Sequence, residues 1–175
     1  MLDIDRGLIR NIPDFPKPGI QFKDITPMLA DPKAFDSVIE NFVEKLSSIN
    51  GYIAGIEARG FIFAAAVAKT SGRGFIPIRK SGKLPGSVEK ESYALEYGES
   101  ALEIHKDIYI GKSSVVIVDD VLATGGTAIA AIKLCKKINL EVESIIFLME
   151  IPELGGRSQI ARHFPDLQIS VLWAE

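Results

Sequence analysis

The sequence predicts an α/β protein in which a central, mostly parallel β-sheet is flanked by helices. Short apolar segments without polar alternation recur along the 175 residues, and segments with helical periodicity follow several of them. Strands of a parallel sheet are buried on both faces because helices cover both, so they read as continuous apolar runs. The alternation of the two patterns therefore favours one wound sheet over a helical bundle or an all-β fold.

The first predicted helix, within residues 30–46, precedes the first strand of this sheet. Asp31 can cap its amino end, and Pro32 suits the first helical position. The apolar residues of this segment recur at helical spacing and share one face: Phe35, Val38, Ile39, Phe42, Val43 and Leu46. We expect this face to pack against the sheet.

Five apolar segments predict the strands: 52–56, 74–78, 114–119, 144–149 and 169–173. Helical patterns follow the first, third and fourth of them. Between the second and third strands, residues 91–97 and 100–106 predict an antiparallel hairpin that turns near Gly98. Without a repeat, a linker or a low-complexity stretch, we expect residues 1–175 to form a single domain.

Composition narrows the classes of function. The net charge is −3, with 20 basic and 23 acidic residues, so a nucleic-acid-binding protein with a broad basic surface is not expected. No apolar run approaches the ~18 residues of a membrane span, and the amino-terminal segment carries acids where a signal peptide carries basic residues. The single cysteine, Cys135, lies in a helical pattern and suits a reducing compartment. We expect a cytoplasmic protein with no membrane partner.

The segment VVIVDDVLATGGT (115–127) carries the strongest functional signal. Asp119 and Asp120 end the predicted strand, and a turn with two glycines and two threonines leads into the next helix. The unpaired amides of such a turn, with the positive end of the helix dipole, form a phosphate cradle. The acids suit neutral hydroxyls or a metal ion. Neither a nucleotide-triphosphate loop motif nor a dinucleotide-binding motif is present, so the pattern favours a sugar phosphate.

With four further segments, this stretch resembles the type I phosphoribosyltransferases, and among them the adenine phosphoribosyltransferases. The further segments are DFPKPGIQFKDITP (14–27), GIEARGFIF (55–63), IRKSGKLPG (78–86) and YALEYGESALEIHKD (93–107), in the same order as in that family. The resemblance implies a Rossmann-like fold with a small hood from residues 1–30 and a flexible lid and hairpin at 79–107. It also implies a homodimer in which Arg79 of one subunit contributes to the site of the other subunit.

The resemblance implies transfer of the phosphoribosyl group of phosphoribosyl pyrophosphate (PRPP) to adenine, with Mg²⁺ held mainly by PRPP, pyrophosphate and water. The products would be AMP and pyrophosphate. A metal site made of protein ligands is not expected. The implied PRPP-binding residues are Glu57, Ala58, Arg59, Arg79, Lys80, Lys83, Asp119, Asp120, Ala123, Thr124, Gly125, Gly126 and Thr127. The implied adenine-binding residues are Phe22, Lys23 and Ile151, and the implied catalytic residues are Glu96, Asp119 and Asp120. A cis peptide between Glu57 and Ala58 is implied as well.

The chain departs from the family pattern in three places, which bear on the base pocket. Lys23 stands where arginine is usual, Ala64 where glycine is common, and Pro152 follows Ile151. Lysine lacks the planar fork of arginine, so a phosphoribosyltransferase for another base, such as xanthine or orotate, stays open. A regulator that senses PRPP on the same fold is a second alternative. His105 and His163 have no metal-ligand spacing and are expected to be structural or solvated.

Overall fold

A seven-stranded sheet with helices on both faces, and a separate two-stranded sheet, organise the chain in its computed structural model. The residues described are 6–46, 50–94, 99–107 and 114–174. The strands are β1 (Arg10–Ile12), β2 (Phe22–Asp24), β3 (Tyr52–Ile56), β4 (Phe75–Lys80), β5 (Val88–Ala94), β6 (Glu99–His105), β7 (Ser114–Leu122), β8 (Glu141–Glu150) and β9 (Gln168–Ala174). The helices are α1 (Thr26–Ala30), α2 (Pro32–Glu44), α3 (Gly60–Thr70), α4 (Gly126–Lys137) and α5 (Gly156–His163), with 3₁₀ turns at Arg6–Leu8 and Pro152–Leu154.

The large sheet has the strand order β5-β6-β4-β3-β7-β8-β9. Strands β4, β3, β7, β8 and β9 are mutually parallel. Strand β6 pairs antiparallel with β4, and β5 pairs antiparallel with β6 and forms the edge of the sheet. This arrangement confirms the predicted mostly parallel sheet. The small sheet pairs β1 with β2 antiparallel within the amino-terminal segment. The turn between β5 and β6, predicted near Gly98, lies outside the described residues.

The two faces of β7 explain why its sequence lacks polar alternation. Val115 and Ile117 belong to the core cluster that includes α4 and α5, whereas Val116 and Val118 belong to the cluster that includes α1, α2 and α3. All four are fully buried. Successive residues of a strand point to opposite faces, so a strand covered on both faces must be apolar throughout.

Helix α2 begins as its sequence predicts. The Asp31 side chain accepts hydrogen bonds from the amides of Lys33 and Ala34, both at 2.9 Å, and Pro32 takes the first helical position. Cys135 is a free cysteine inside α4, and burial raises the pKa of its thiol to about 12. Among the residues described, no helix has the length and apolar character needed to cross a membrane.

One strand boundary differs from the sequence prediction in a way that concerns function. The predicted strand ended at residue 119, but β7 continues to Leu122, which pairs with Glu150 of β8. Asp119 and Asp120 therefore lie within the strand and not at its end. The longer pairing partner supplies the reason, since β8 extends to Glu150 and keeps the end of β7 in the ladder.

Candidate active site

Four parallel strands end at one edge of the sheet, and the segment after each of them carries predicted site residues. Residues 57–59 follow β3, 81–87 follow β4, 123–125 follow β7 and 151–155 follow β8. Ligands of open α/β sheets bind outside the carboxyl ends of the strands. The fold therefore brings four segments that are remote in the sequence to one place.

The Arg59 side chain contacts three of the predicted site residues, namely Phe22, Lys23 and Asp120. Its Nη1 donates a hydrogen bond to the carbonyl of Lys23 at 2.9 Å, and its guanidinium lies 4.9 Å from the ring centroid of Phe22. Its Nε lies 2.5 Å from Oδ2 of Asp120. This last contact is a close ion pair with a largely buried carboxylate. One arginine thus connects the amino-terminal segment to the acids of β7.

Asp119 and Asp120 are held where ionisation is disfavoured. Burial, reinforced by the neighbouring charge of Asp120, raises the pKa of Asp119 well above its ordinary value. Burial also raises the pKa of Asp120, although Arg59 opposes the rise. Asp119 keeps some exposed area, but protein surrounds its carboxyl group, whose Oδ1 accepts a hydrogen bond from the Asp120 amide at 2.9 Å. Such a pair is poised to accept hydrogen bonds from a ligand.

The turn after β7 has the geometry of an anion cradle. Gly125 caps α4 in the left-handed region at φ 85°, and no side chain caps the amino end of this helix. The first amides of the helix therefore lack intrahelical partners. A small cavity of about 50 Å³ opens here, lined by Asp119 and by most of residues 121–128. Thr124 is exposed and Thr127 is half-buried, so hydroxyls and amides can both face a ligand.

Two further glycines shape this site, and the sequence analysis gave neither of them a role. A Cβ at Gly156 would lie 2.2 Å from the carbonyl oxygen of Ala123, and one at Gly60 would lie 2.6 Å from Oδ1 of Asp119. The amino end of α5 therefore packs directly behind the cradle, and α3 packs directly against the acid. The Gly155-Gly156 pair between a predicted strand and a predicted helix was the available signal for the first contact.

The two basic residues that end β4 both bind Glu57. The Arg79 guanidinium donates to both carboxylate oxygens of Glu57 at 3.1 Å, and the amide of Lys80 donates to one of them at 3.0 Å. The hydrogen bonds from Arg79 hold the pKa of Glu57 below its ordinary value, so this carboxylate is ionised. Glu57 thus holds an arginine in place next to Ala58 and Arg59. The Glu57–Ala58 peptide is cis.

The predicted adenine residues lie at a cleft of about 420 Å³. Lys23 and Ile151 both line it, together with Gly19, Ile20, Gln21, Glu153 and Leu154. Phe22, the third predicted residue, begins β2 between two of the lining residues in the sequence, and Phe15 packs edge-on against its ring at 5.1 Å. Lys23 is itself 9% exposed. The structure therefore brings the amino-terminal segment and the segment after β8 together, as a pocket for a flat base requires.

Some predicted residues fall elsewhere. Glu96 lies outside the described residues. His105 is half-buried in β6, whereas His163 is exposed and its Nδ1 lies 2.9 Å from the carbonyl of Gln159. Within residues 6–46, 50–94, 99–107 and 114–174, no group of three or more His, Cys, Asp or Glu side chains could hold a metal ion. A larger cleft of about 570 Å³ involves the first residues of β8 and β9, at the opposite edge of the sheet.

Comparisons with known proteins agree with this geometry. Residues 27–163 match the family model of the phosphoribosyl transferase domain. The chain is 48% identical to the adenine phosphoribosyltransferase of Clavibacter michiganensis subsp. michiganensis, over 92% of this chain and 91% of that protein. It superposes on the crystal structure of adenine phosphoribosyltransferase from Thermoanaerobacter pseudethanolicus with a TM-score of 0.90 and 48% identity, covering 97% of both chains. The enzyme from Saccharomyces cerevisiae, complexed with an imino-altritol bisphosphate and adenine, gives 0.86 and 35%, covering 96% of both.

Proposed function

The chain belongs to the phosphoribosyl transferase family, and within it to the adenine phosphoribosyltransferases, and from that premise we propose how its residues divide the work. The reaction transfers the 5-phosphoribosyl group of PRPP to adenine and yields AMP and pyrophosphate. A ring nitrogen of adenine forms a bond to the anomeric carbon, the bond from that carbon to the pyrophosphate oxygen breaks, and the nitrogen loses a proton. The observation that carries the assignment of residues is the convergence on Arg59 of Asp120 and Lys23.

Residues 123–127 bind the 5′-phosphate in this proposal. The uncapped amino end of α4 and the cavity beside it support this, because free amides and the helix dipole attract an anion. Asp119 and Asp120 accept the ribose hydroxyls. In their ionised form these acids also place negative charge near the anomeric carbon, which becomes cationic as pyrophosphate departs.

Pyrophosphate lies between the amides near Ala58 and Arg59 and the basic side chains at the end of β4 and in the loop after it, with Arg79 supplied by the partner subunit of the proposed homodimer. Glu57 of the same chain already orients Arg79, so the remaining donors of this arginine need little reorganisation to meet a phosphate bound in the partner subunit. Lys80 and Lys83 are exposed and add positive charge. These groups stabilise pyrophosphate as the bond to the anomeric carbon breaks and the electron pair of that bond stays on the pyrophosphate oxygen.

Adenine occupies the cleft between Phe22, Lys23 and Ile151. Apolar walls with a few polar groups suit a flat purine. Glu96 takes the proton from the ring nitrogen as the new bond forms, a role that the family resemblance implies. Lys23 in place of the usual arginine keeps a positive charge but offers a single point of contact to the base.

Magnesium enters with PRPP in this proposal. The two carboxylates of β7, with raised pKa values, fit a site that meets neutral hydroxyls and a hydrated cation more readily than a dedicated metal cage. Bound magnesium would neutralise part of the charge of pyrophosphate and so make it a better leaving group.

A homodimer and a cytoplasmic location complete the proposal. Ile62 of α3 and Phe75 of β4 are 41% and 37% exposed, and Phe61 packs edge-on against Phe75 at 5.6 Å. This apolar surface at the β4 side supports self-association there. Sedimentation equilibrium tests it: Ile62→Asp is expected to yield monomers, while Ala161→Asp on exposed α5 stays dimeric, and a monomeric wild type contradicts the dimer.

The free, buried Cys135 supports a reducing compartment, and cell fractionation tests the location.

Incorporation of radiolabelled bases with PRPP tests the catalytic proposal directly. We expect adenine to be converted far faster than hypoxanthine, guanine, xanthine or orotate, and excess chelator to abolish the reaction. Asp120→Asn is expected to reduce the turnover of adenine without changing the preference among bases. Wild-type turnover in Asp120→Asn would remove the acids of β7 from the mechanism, and full activity in chelator would remove magnesium.

A further inference from the structure

Glu103 of β6 is a buried carboxylate that lies outside the sites described above. Its residue is 1% exposed. Its two oxygens accept three backbone hydrogen bonds from one short segment, namely from the amides of Gly82 at 3.0 Å, Lys83 at 2.8 Å and Leu84 at 2.7 Å. A single side chain therefore satisfies the backbone donors of the loop that carries Lys83.

The carboxylate is ionised in this position. Burial by itself would raise the pKa of Glu103, but the three amides outweigh burial and lower it below the ordinary value. Lys90 adds a positive charge, with its Nζ 3.6 Å from Oε2. Hydrogen bonds to an ionised acceptor are stronger than those between neutral groups, so the loop is tied to β6 more firmly than its Gly-Lys-Leu-Pro-Gly sequence would suggest.

Further hydrogen bonds connect this loop to the proposed pyrophosphate site. The carbonyl of Lys83 accepts a hydrogen bond from Nη1 of Arg79 at 3.1 Å, and Arg79 holds both oxygens of Glu57. Arg79 and Glu103 are also direct partners in the β4–β6 ladder. Glu103 thus fixes the segment that in turn fixes the arginine next to residues 57–59.

We propose that Glu103 is a positioning residue that presents Arg79 and Lys83 to the pyrophosphate group of PRPP. The inference rests on the proposed binding of pyrophosphate by Arg79 and Lys83. Its physical basis is preorganisation: an untied loop must lose conformational freedom when PRPP binds, whereas a loop already held by three hydrogen bonds has lost it on folding. The effect should fall on PRPP, because Glu103 contacts neither the adenine cleft nor the acids of β7.

Glu103→Gln provides the main test, because it preserves size but turns an amide NH₂ or a weaker neutral acceptor toward the loop donors. We expect the KM for PRPP to rise by about tenfold or more, roughly the loss of one charge-assisted hydrogen bond. The KM for adenine and kcat should stay within about twofold of wild type. Glu91→Gln is the matched control: Glu91 is an ion-paired carboxylate of the same hairpin, bound to Lys133 and Lys137.

Hydrogen exchange adds a readout that does not depend on activity. The amides of Gly82, Lys83 and Leu84 should exchange slowly in the wild type, although Gly82 and Lys83 are exposed residues, and fast in Glu103→Gln. Glu103→Asp retains the charge on a shorter side chain, so we expect its KM for PRPP to lie between those of the wild type and Glu103→Gln. Should Glu103→Gln fail to fold, Glu103→Asp and the wild-type exchange pattern decide the question in the same directions.

The outcomes separate this inference from the function on which it rests. If Arg79→Ala and Lys83→Ala leave the KM for PRPP unchanged, the proposed binding of pyrophosphate fails and the inference fails with it. If these variants raise the KM but Glu103→Gln behaves like Glu91→Gln, the binding role stands and the positioning role is overturned. Fast exchange of all three amides in the wild type also overturns the positioning role.

Discussion

Gly125→Ala perturbs the proposed 5′-phosphate cradle with the smallest side chain available. Gly125 has φ 85°, a region that residues with a Cβ rarely adopt, and an added Cβ would lie 2.8 Å from the carbonyl oxygen of Gly156 and 3.2 Å from its Cα. Both neighbours are backbone atoms, so no side-chain rotation can relieve the overlap. The cradle must move, or α5 must move away from it.

The cost has two parts that the chain allows us to separate. The left-handed backbone conformation alone costs a residue with a Cβ about 1–2 kcal/mol. Overlap with a packed neighbour adds about 1–3 kcal/mol. Gly72, at φ 67° after α3, has no heavy atom within 4 Å of an added Cβ and is therefore the matched control for the first part. We expect Gly72→Ala to lose about 1–2 kcal/mol of unfolding free energy, and Gly125→Ala about 2–5 kcal/mol.

Urea unfolding measures the stabilities, and titration calorimetry with PRPP and with AMP measures binding. Gly72→Ala should bind both ligands like the wild type, because it lies away from the site. Gly125→Ala should bind both at least about tenfold more weakly, since a displaced cradle loses at least one charge-assisted hydrogen bond to the phosphate. Equal destabilisation in the two variants, together with unchanged affinities, would refute both the steric argument and the placement of the phosphate.

Three further predictions concern Asp119, Arg79 and Glu96. Burial raises the pKa of Asp119, so its contribution to stability is fully present below pH 3.8 and is lost as the pH rises through the raised value; Asp119→Asn should therefore melt higher than the wild type at pH 7, with no difference below pH 3.8, while its turnover falls. Arg79→Ala should raise the KM for PRPP by about tenfold or more. Its loss of thermal stability should be present above pH 4.5 and shrink as the pH falls through the lowered pKa of Glu57; a pH-independent loss would contradict that coupling. Glu96→Gln should bind PRPP normally but lose about two orders of magnitude or more in turnover, and a loss within about threefold would remove its role in proton transfer.

Local sequence patterns were sufficient for the elements and for the class of ligand. The continuous apolar character of residues 114–118 reflects burial on both faces, and Asp31 followed by Pro32 marks the start of α2 wherever that helix packs. The Thr-Gly-Gly-Thr turn after two acids can be recognised without any tertiary contact, because the amides that bind the anion belong to the turn itself. These features depend on neighbours in the sequence.

The family resemblance supplied what local patterns could not, namely the base and the division of roles. Phe22 and Ile151 read as ordinary core residues by composition, and only their match to the adenine phosphoribosyltransferases marked them as pocket residues. The structure places Ile151 and Lys23 at one cleft, and Phe22 precedes Lys23 in β2. Their separation of more than a hundred positions in the sequence hides that proximity from any pattern search.

Only the tertiary structure decided which side chains meet. Arg59 contacts Lys23 and Asp120, residues 36 positions before it and 61 after it, because parallel strands bring their carboxyl ends to one edge. Glu103 lies next to residues 82–84 because an antiparallel ladder places β6 beside β4. Hydrophobic periodicity determines which face of an element is buried, but it carries no information about the partner of a polar side chain. That choice follows from strand order and register, which are set by the packing of the whole sheet.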